Sequence, residues 1–209
     1  MQIKLTRIED LRFYEYISEI DRAEQVLRKR PDLTCKNRIL NELEEQRMMI
    51  EKYSIDGEDY EVDSLWESYN ELESEKIDEY YNEMASLYKS LYAIFENQTA
   101  KERKLNYSRY PKIQEMNWVV NVLKHSKGPS YQKLVDIDSK FIKEPVEFQG
   151  ILPGTTAREI LNLEYQDLID FCNQARVAWM ERLEEEQAEY LASKEEKATE
   201  TTSEEESAK

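Results

Sequence analysis

Apolar residues recur at steps of three and four along most of this chain, the spacing that gathers them on one face of a helix. From about Ile8 to Arg30 the stripe is Phe13, Ile17, Ile20, Ala23 and Leu27. Arg28, Lys29 and Arg30 fall in its last turn, where positive charge suits exposed carbonyls, and Pro31 is the stop. A second helix is predicted from about Thr34 to Tyr53, on Ile39, Leu40, Leu43, Ile50 and Tyr53. An acidic loop, SIDGEDYEVD, follows around Gly57. Ser64 and Glu67 then have the spacing of a capping box, in which each side chain satisfies the other's free backbone amide. The helix they open is predicted to reach about Asn97, with Trp66, Tyr69, Ile77, Tyr80, Met84, Leu87, Tyr88, Leu91 and Phe95 in a broad aromatic stripe. Such a length is unusual for a globular helix, so either a break or a coiled-coil hairpin is expected there.

Pro111 suits the first position of a helix carrying Ile113, Met116, Val119, Val120 and Leu123, and Gly128-Pro129 ends it. Between Tyr131 and Gly150 the pattern is mixed: KLVDIDSKF alternates partway, which admits a short strand or hairpin. Pro153-Gly154 is a turn, and Thr156 with Glu159 forms a second capping box. Leu161, Tyr165, Leu168, Cys172, Ala175, Trp179 and Leu183 follow in a near-heptad seam, which Ile160, Leu163, Ile169 and Phe171 widen. Past Leu191 the segment SKEEKATETTSEEESAK offers only alanines to bury and is expected to be disordered. The fold class predicted is mostly α, a helical bundle or hairpin with room for one small β element and a disordered acidic C-terminal tail. Residues 1–180 form the helical domain, with candidate sub-divisions near 97–111 and 130–152, and 181–209 form the acidic helix end and tail.

Composition agrees with long helices: the 209 residues include only 4 Gly and 5 Pro. MQIKLTRIEDL lacks the apolar run of a signal peptide, and no stretch approaches the roughly 18 apolar residues of a membrane span. Cys35 and Cys172 stand far apart in no metal-like spacing and read as thiols of a reducing compartment. A cytoplasmic location is expected, the host cytoplasm if the chain is viral.

Charge changes the picture more. The net charge is −16, and it is concentrated: residues 56–102 hold 14 acids against 3 bases, and residues 181–209 hold 11 against 4. A chain of this sign is no nonspecific nucleic-acid binder. Residues 103–133 are locally basic, with Arg103, Lys104, Arg109, Lys112, Lys124, Lys127 and Lys133 against Glu115 alone, and interleave Tyr107, Tyr110, Trp118 and Tyr131. Folding against the chain's own acidic block is the expectation for this segment.

Candidate chemistry is sparse. His125 is the single histidine, so metal sites built on two are excluded, and its place at a helix end suits carbonyl capping. No G-x-G-x-x-G, no G-x-x-x-x-G-K-[ST] and no H-E-x-x-H occurs. Asp56, Glu58, Asp59, Glu61 and Asp63 have an acidic spacing like a calcium loop's. Yet Gly57 follows the first acid directly and Glu67, the twelfth position, belongs to the capping box, so a solvated loop is expected. No catalytic residue, metal or cofactor is assigned, and the chain is read as a non-enzyme.

What remains is surface. The 14 tyrosines include Tyr69, Tyr80, Tyr81, Tyr88 and Tyr92 on the third helix, either packed inward or offered as contacts. The partner-binding candidates are Leu168, Cys172, Trp179, Leu183, Tyr80 and Tyr88. Trp179 and Leu183 lead because they lie where the chain leaves the globule. Rows of carboxylates on a rigid helix admit a second reading, an inhibitor that imitates a phosphate backbone in an enzyme's nucleic-acid groove.

The stretch GTTAREILNLEYQDLIDFCNQARVAWMERLEEEQAEYL, in the last quarter of the chain, resembles the tail assembly chaperones of tailed bacteriophages. Those proteins are small, acidic and mostly helical, with a late helical pair of the form capping Thr, Leu, Leu, then acid-Leu-hydrophobic, and a charged tail. The resemblance implies a role in virion assembly: binding an aggregation-prone tape-measure protein and recruiting tail-tube subunits, without catalysis; from charge and hydropathy, neither direct nucleic-acid binding nor membrane contact is expected. No diagnostic motif is present onto which the family's functional residues map.

Overall fold

Each stripe becomes a helix, but the helices are covered very unequally. The computed structural model describes residues 10–30, 36–54, 59–101, 109–126, 128–143 and 156–207. It contains α1 (Leu11–Arg28), α2 (Lys36–Tyr53), α3 (Asp59–Lys101), α4 (Pro111–His125), α5 (Pro129–Asp136), α6 (Ala157–Ile160) and α7 (Tyr165–Ser207). The chain is mostly α, and the β content of the described residues is one isolated antiparallel bridge between Ile142 and Leu161. Pro31, Cys35, Asp56–Glu58, residues 103–108 and Pro153-Gly154 lie outside the described residues.

Local chemistry sets several boundaries. Pro111 and Pro129 open α4 and α5, where the missing N–H costs nothing. Gly128, between these two helices, has φ 148, a conformation a side chain would strain. At α6 the predicted capping box is present: the Thr156 N–H donates to Glu159 Oε2 at 2.5 Å. Glu159 is held below its usual pKa chiefly by that backbone bond.

α3 and α7 each run 43 residues, about 65 Å at 1.5 Å per residue. They lie parallel: Tyr88 of α3 meets Glu164 and Asp167 near the start of α7, and Gln98 meets Trp179 further along. α1 is antiparallel to both. Against α7 it pairs Arg12 with Glu186 at one end and Arg176 with Asp21 and Glu24 at the other. Against α3 it joins the Tyr16 carbonyl to Gln98 at 3.2 Å and leads to the Arg30–Glu83 pair. With α4 and α5, these helices enclose one apolar core, whose contributions from α3 run from Tyr80 to Phe95.

The N-terminal half of α3 therefore projects past the core, and α2 packs along it. Leu43 and Tyr69 are the buried apolar residues of that pair, apart from the main core. This two-helix arm leaves one end of the bundle. At the other end α7 continues past its ties to α1, of which Gln187 Nε2 to Asp10 Oδ2 at 2.9 Å is furthest along α7.

Four sequence expectations are corrected. Ser64 is no cap: it lies inside α3, and its carbonyl accepts from the Ser68 hydroxyl at 3.0 Å. Of the two alternatives for α3 the break is absent and the hairpin, made with α2, is present: the helix runs unbroken past Asn97 to Lys101. KLVDIDSKF is helical through Asp136, and only Ile142 beyond it joins a bridge. The backbone past Leu191 is helical to Ser207 where disorder was expected, in keeping with the high helix propensity of Ala, Glu and Lys.

The seam from Leu161 to Leu183 is also interrupted. Residues 161–164 are non-helical, and Leu161 bridges to Ile142. The Tyr88 hydroxyl donates to the Glu164 carbonyl at 2.9 Å and accepts from the Glu164 N–H at 3.3 Å. It thereby gives the Glu164 N–H an acceptor and shares the Glu164 carbonyl with the Asp167 N–H of the first turn of α7. Tyr88→Phe should cost about 1–3 kcal/mol in urea unfolding and raise amide exchange at 162–165. An unchanged unfolding midpoint would show that water replaces the hydroxyl at no cost.

Candidate protein-binding site

The six partner candidates are placed inside the molecule. Leu168, Cys172, Trp179, Leu183 and Tyr88 each have 0% exposure, and Tyr80 is half-buried against the same core. Trp179 sits among Phe13, Tyr16 and Phe95 at ring-centroid distances of 6.1, 5.0 and 5.4 Å, and its Nε1 donates to Gln98 Oε1 at 2.8 Å. The α7 stripe is thus covered by the chain's own α1, α3 and α4. The contact-surface reading of these residues gives way to the core reading, because burial on three sides leaves no face for a partner. Burial also pushes the Cys172 thiol up to about 12, with Asp21 adding to it, so the thiolate that reagents attack is suppressed.

A buried polar cluster lies where α4, α7 and the segment after α5 meet. The Ser139 hydroxyl donates to Glu115, Lys140 pairs with Asp167, and Asp167 Oδ2 lies 3.4 Å from the Tyr88 hydroxyl. Burial raises the Asp167 pKa, a tendency Lys140 opposes. Lys140 itself is held above its usual value, first by its hydrogen bond to Asp167. The void beside them is about 20 Å³, room for one water and no substrate. This cluster fastens helices together.

A wider groove of about 510 Å³ runs between α1 and α3, lined by Glu19, Ala23, Val26, Ile94 and Gln98 among others. Gln98 at its floor is already bonded to Trp179, the Tyr16 carbonyl and Glu19. His125 is exposed in the last turn of α4. Asp59, Glu61 and Asp63 belong to α3, which removes three of the five acids of the calcium-like run from any loop. Among the described residues no group of three or more His, Cys, Asp or Glu side chains is disposed to hold a metal ion, and no helix is long and apolar enough to cross a membrane.

The described part of the basic segment, which does not include Arg103, Lys104 and Lys127, pairs differently from expectation. Arg109 binds Glu185 of α7, the Tyr110 hydroxyl donates to Glu181 at 2.8 Å, and Lys112 reaches Glu115 of its own helix at 3.6 Å. The acidic block is met instead by Arg30, at Glu83, and by Arg158, at Asp78. Tertiary position decided the pairing, since α4 packs antiparallel to α7 and brings its first turn to the 181–185 region.

Exposed apolar residues are scattered over the bundle, at Leu11, Val26, Val135, Ile137, Val177 and Leu191, and gathered on the arm. Its seam residues Ile39 and Ile50 on α2, and Val62, Trp66, Leu72 and Ile77 on α3, are only half-buried. One helix cannot cover the apolar side of another, whose stripe spans more than 100°. Around the seam Leu40, Met48, Met49, Tyr53 and Leu65 are exposed, Met49 to 72% and Tyr53 to 60%. Met49 and Tyr53 stand one turn apart and form a ridge along α2. Sequence reading missed Met48 and Met49. The available signal was a pair of adjacent apolar residues lying off the Ile39, Leu43, Ile50 line.

The arm is also strongly acidic: residues 36–79 hold 15 acids against 5 bases. Asp63, Glu67, Glu71, Glu75 and Glu79 recur at every fourth position of α3, and all five are exposed. In comparisons with family models, with curated proteins and with solved structures, the chain matches none.

Proposed function

We propose that this chain is a non-catalytic helical binding protein, an assembly chaperone or scaffold, whose working surface is the α2–α3 arm. One observation carries the reading: the bundle seals its own core, while the arm leaves its seam half-buried and Met49 72% exposed. Exposed apolar residues gathered on one short element, rather than scattered singly as at Val26, Ile137 and Leu191 elsewhere, mark an interaction site. Methionine, flexible and polarizable, suits a surface that accommodates a partner. The acidic flanks keep the free protein soluble. Within this class, the resemblance of the Gly154–Leu191 stretch to tail assembly chaperones favours tape-measure or tail-tube subunits as partners, met in a host cytoplasm.

The test is co-expression with the proteins encoded beside this one. A stoichiometric complex is expected with the wild type and not with Met49→Gln/Tyr53→Gln. Both positions are exposed, so the double variant should unfold within about 0.5 kcal/mol of wild type. A complex indifferent to the double variant, or none with any neighbour, overturns the reading.

A second reading is favoured by the exposed carboxylate row from Asp63 to Glu79, one charge about every 6 Å of helix rise. In that reading the arm occupies the nucleic-acid groove of an enzyme. Salt separates the two. The Debye length falls from about 10 Å at 0.1 M to about 3 Å at 1 M, so binding by mimicry collapses over that range, whereas binding through Met49 and Tyr53 retains its apolar part.

A further inference from the structure

We propose that the occupant of the arm is a cationic amphipathic helix of a partner protein, which lies along α2 and α3 as the third helix of a bundle. The inference rests on the arm being the binding surface and goes on to name what binds there. Two helices in antiparallel contact leave a groove on each side of their seam. Here the grooves are bordered by Met49 and Tyr53 of α2 and by Leu65 of α3, with Ile50, Trp66 and Leu72 half-covered at the seam. A third helix laid into such a groove covers these residues at once, which two helices cannot do for each other. The occupant's length follows from α2: 18 residues, about 27 Å, so five turns of partner helix fill the groove.

Charge selects the occupant's chemistry. With 15 acids against 5 bases in residues 36–79, the arm repels a second copy of itself and attracts lysine and arginine. Glu71 and Glu75, exposed on α3, add to the negative field the approaching helix meets. The apolar face supplies the lasting contact, and the charge supplies orientation and speed of association.

Three 18-residue peptides test this against the full-length chain by calorimetric titration. The first has leucines on one helical face and lysines elsewhere. The second keeps the leucine pattern with glutamate for lysine, and the third has the composition of the first, scrambled to remove the face. The first should bind at least tenfold more tightly than either control and gain helicity on binding. Met49→Gln/Tyr53→Gln should weaken it at least tenfold, and Glu71→Gln/Glu75→Gln should weaken it several-fold and flatten its salt dependence. Equal binding of the scrambled peptide would reduce the effect to a polycation on an acidic surface and overturn the proposal, as would equal binding of the glutamate peptide. Indifference to Met49→Gln/Tyr53→Gln would place the peptide elsewhere. Sedimentation as a dimer that this variant dissociates would make the occupant a second copy. A neighbour-encoded complex that the same variant abolishes, with no binding of the lysine peptide, would leave the arm as the working surface and remove only this occupant.

Discussion

Trp179→Ala is expected to be the most damaging single substitution considered for this protein, with a loss of about 3–5 kcal/mol in urea unfolding. The indole is 0% exposed and touches Phe13 and Tyr16 of α1 and Phe95 of α3, so its removal opens a cavity where three helices meet. It also removes the Nε1 donor from Gln98, a side chain 1% exposed whose amide nitrogen is committed to the Tyr16 carbonyl at 3.2 Å and to Glu19 at 2.8 Å. Trp179→Phe separates the two contributions: most of the ring stays and the donor is lost, for a cost of about 1–3 kcal/mol. The measurement also decides where the α7 stripe points. A cost below about 1 kcal/mol for Trp179→Ala would return that residue to the surface, and with it the partner-binding role first read from the sequence.

Raising the pH from 9 to 11 is expected to destabilise the fold by about 2–3 kcal/mol through Cys172 alone. Burial pushes that thiol from the ordinary 9.0 up to about 12. The folded chain therefore keeps a proton that the unfolded chain releases. Stability is fully present below about pH 9 and falls by roughly 1.4 kcal/mol per pH unit up to about 12. Tyr110 adds to this from pH 10, since burial first and its bond to Glu181 second raise it to about 12, and Tyr88 is raised in the same direction by burial. Urea midpoints followed from pH 8 to 11 give the curve. Between pH 9 and 10, where the tyrosines contribute least, Cys172→Ala should flatten the slope by roughly 1 kcal/mol per unit. A slope unaffected by that substitution, or modification of Cys172 by a thiol reagent in the native state, would show the thiol to be open to water.

The helices themselves were legible because their causes are local. Three- and four-residue periodicity, Pro111 at a first turn, and Thr156 with Glu159 act within a few residues, and α1, α2, α4 and the α6 cap lie close to where these signals put them. The Ser64–Glu67 pattern is just as local and failed, because α3 begins earlier, at Asp59, with α2 packed along its first half. The break at 161–164 was illegible for the opposite reason. Its Glu164 N–H is satisfied by the Tyr88 hydroxyl, 76 residues away in sequence, and its Asn162 N–H by the Phe141 carbonyl.

What the sequence by itself determined is that this chain is a set of amphipathic helices with its charge in two acidic blocks. Periodicity states that a face is apolar; it carries no information about how many neighbours arrive to cover it. Only the tertiary structure decided that α7, flanked by α1, α3 and α4, has its face covered inside the molecule, so that Leu168, Cys172, Trp179 and Leu183 are core. By the same geometry α2 and the first half of α3, which pack chiefly against each other, keep Met49 and Tyr53 in solvent. Coverage depends on contacts between residues far apart in the chain, and no stripe records them.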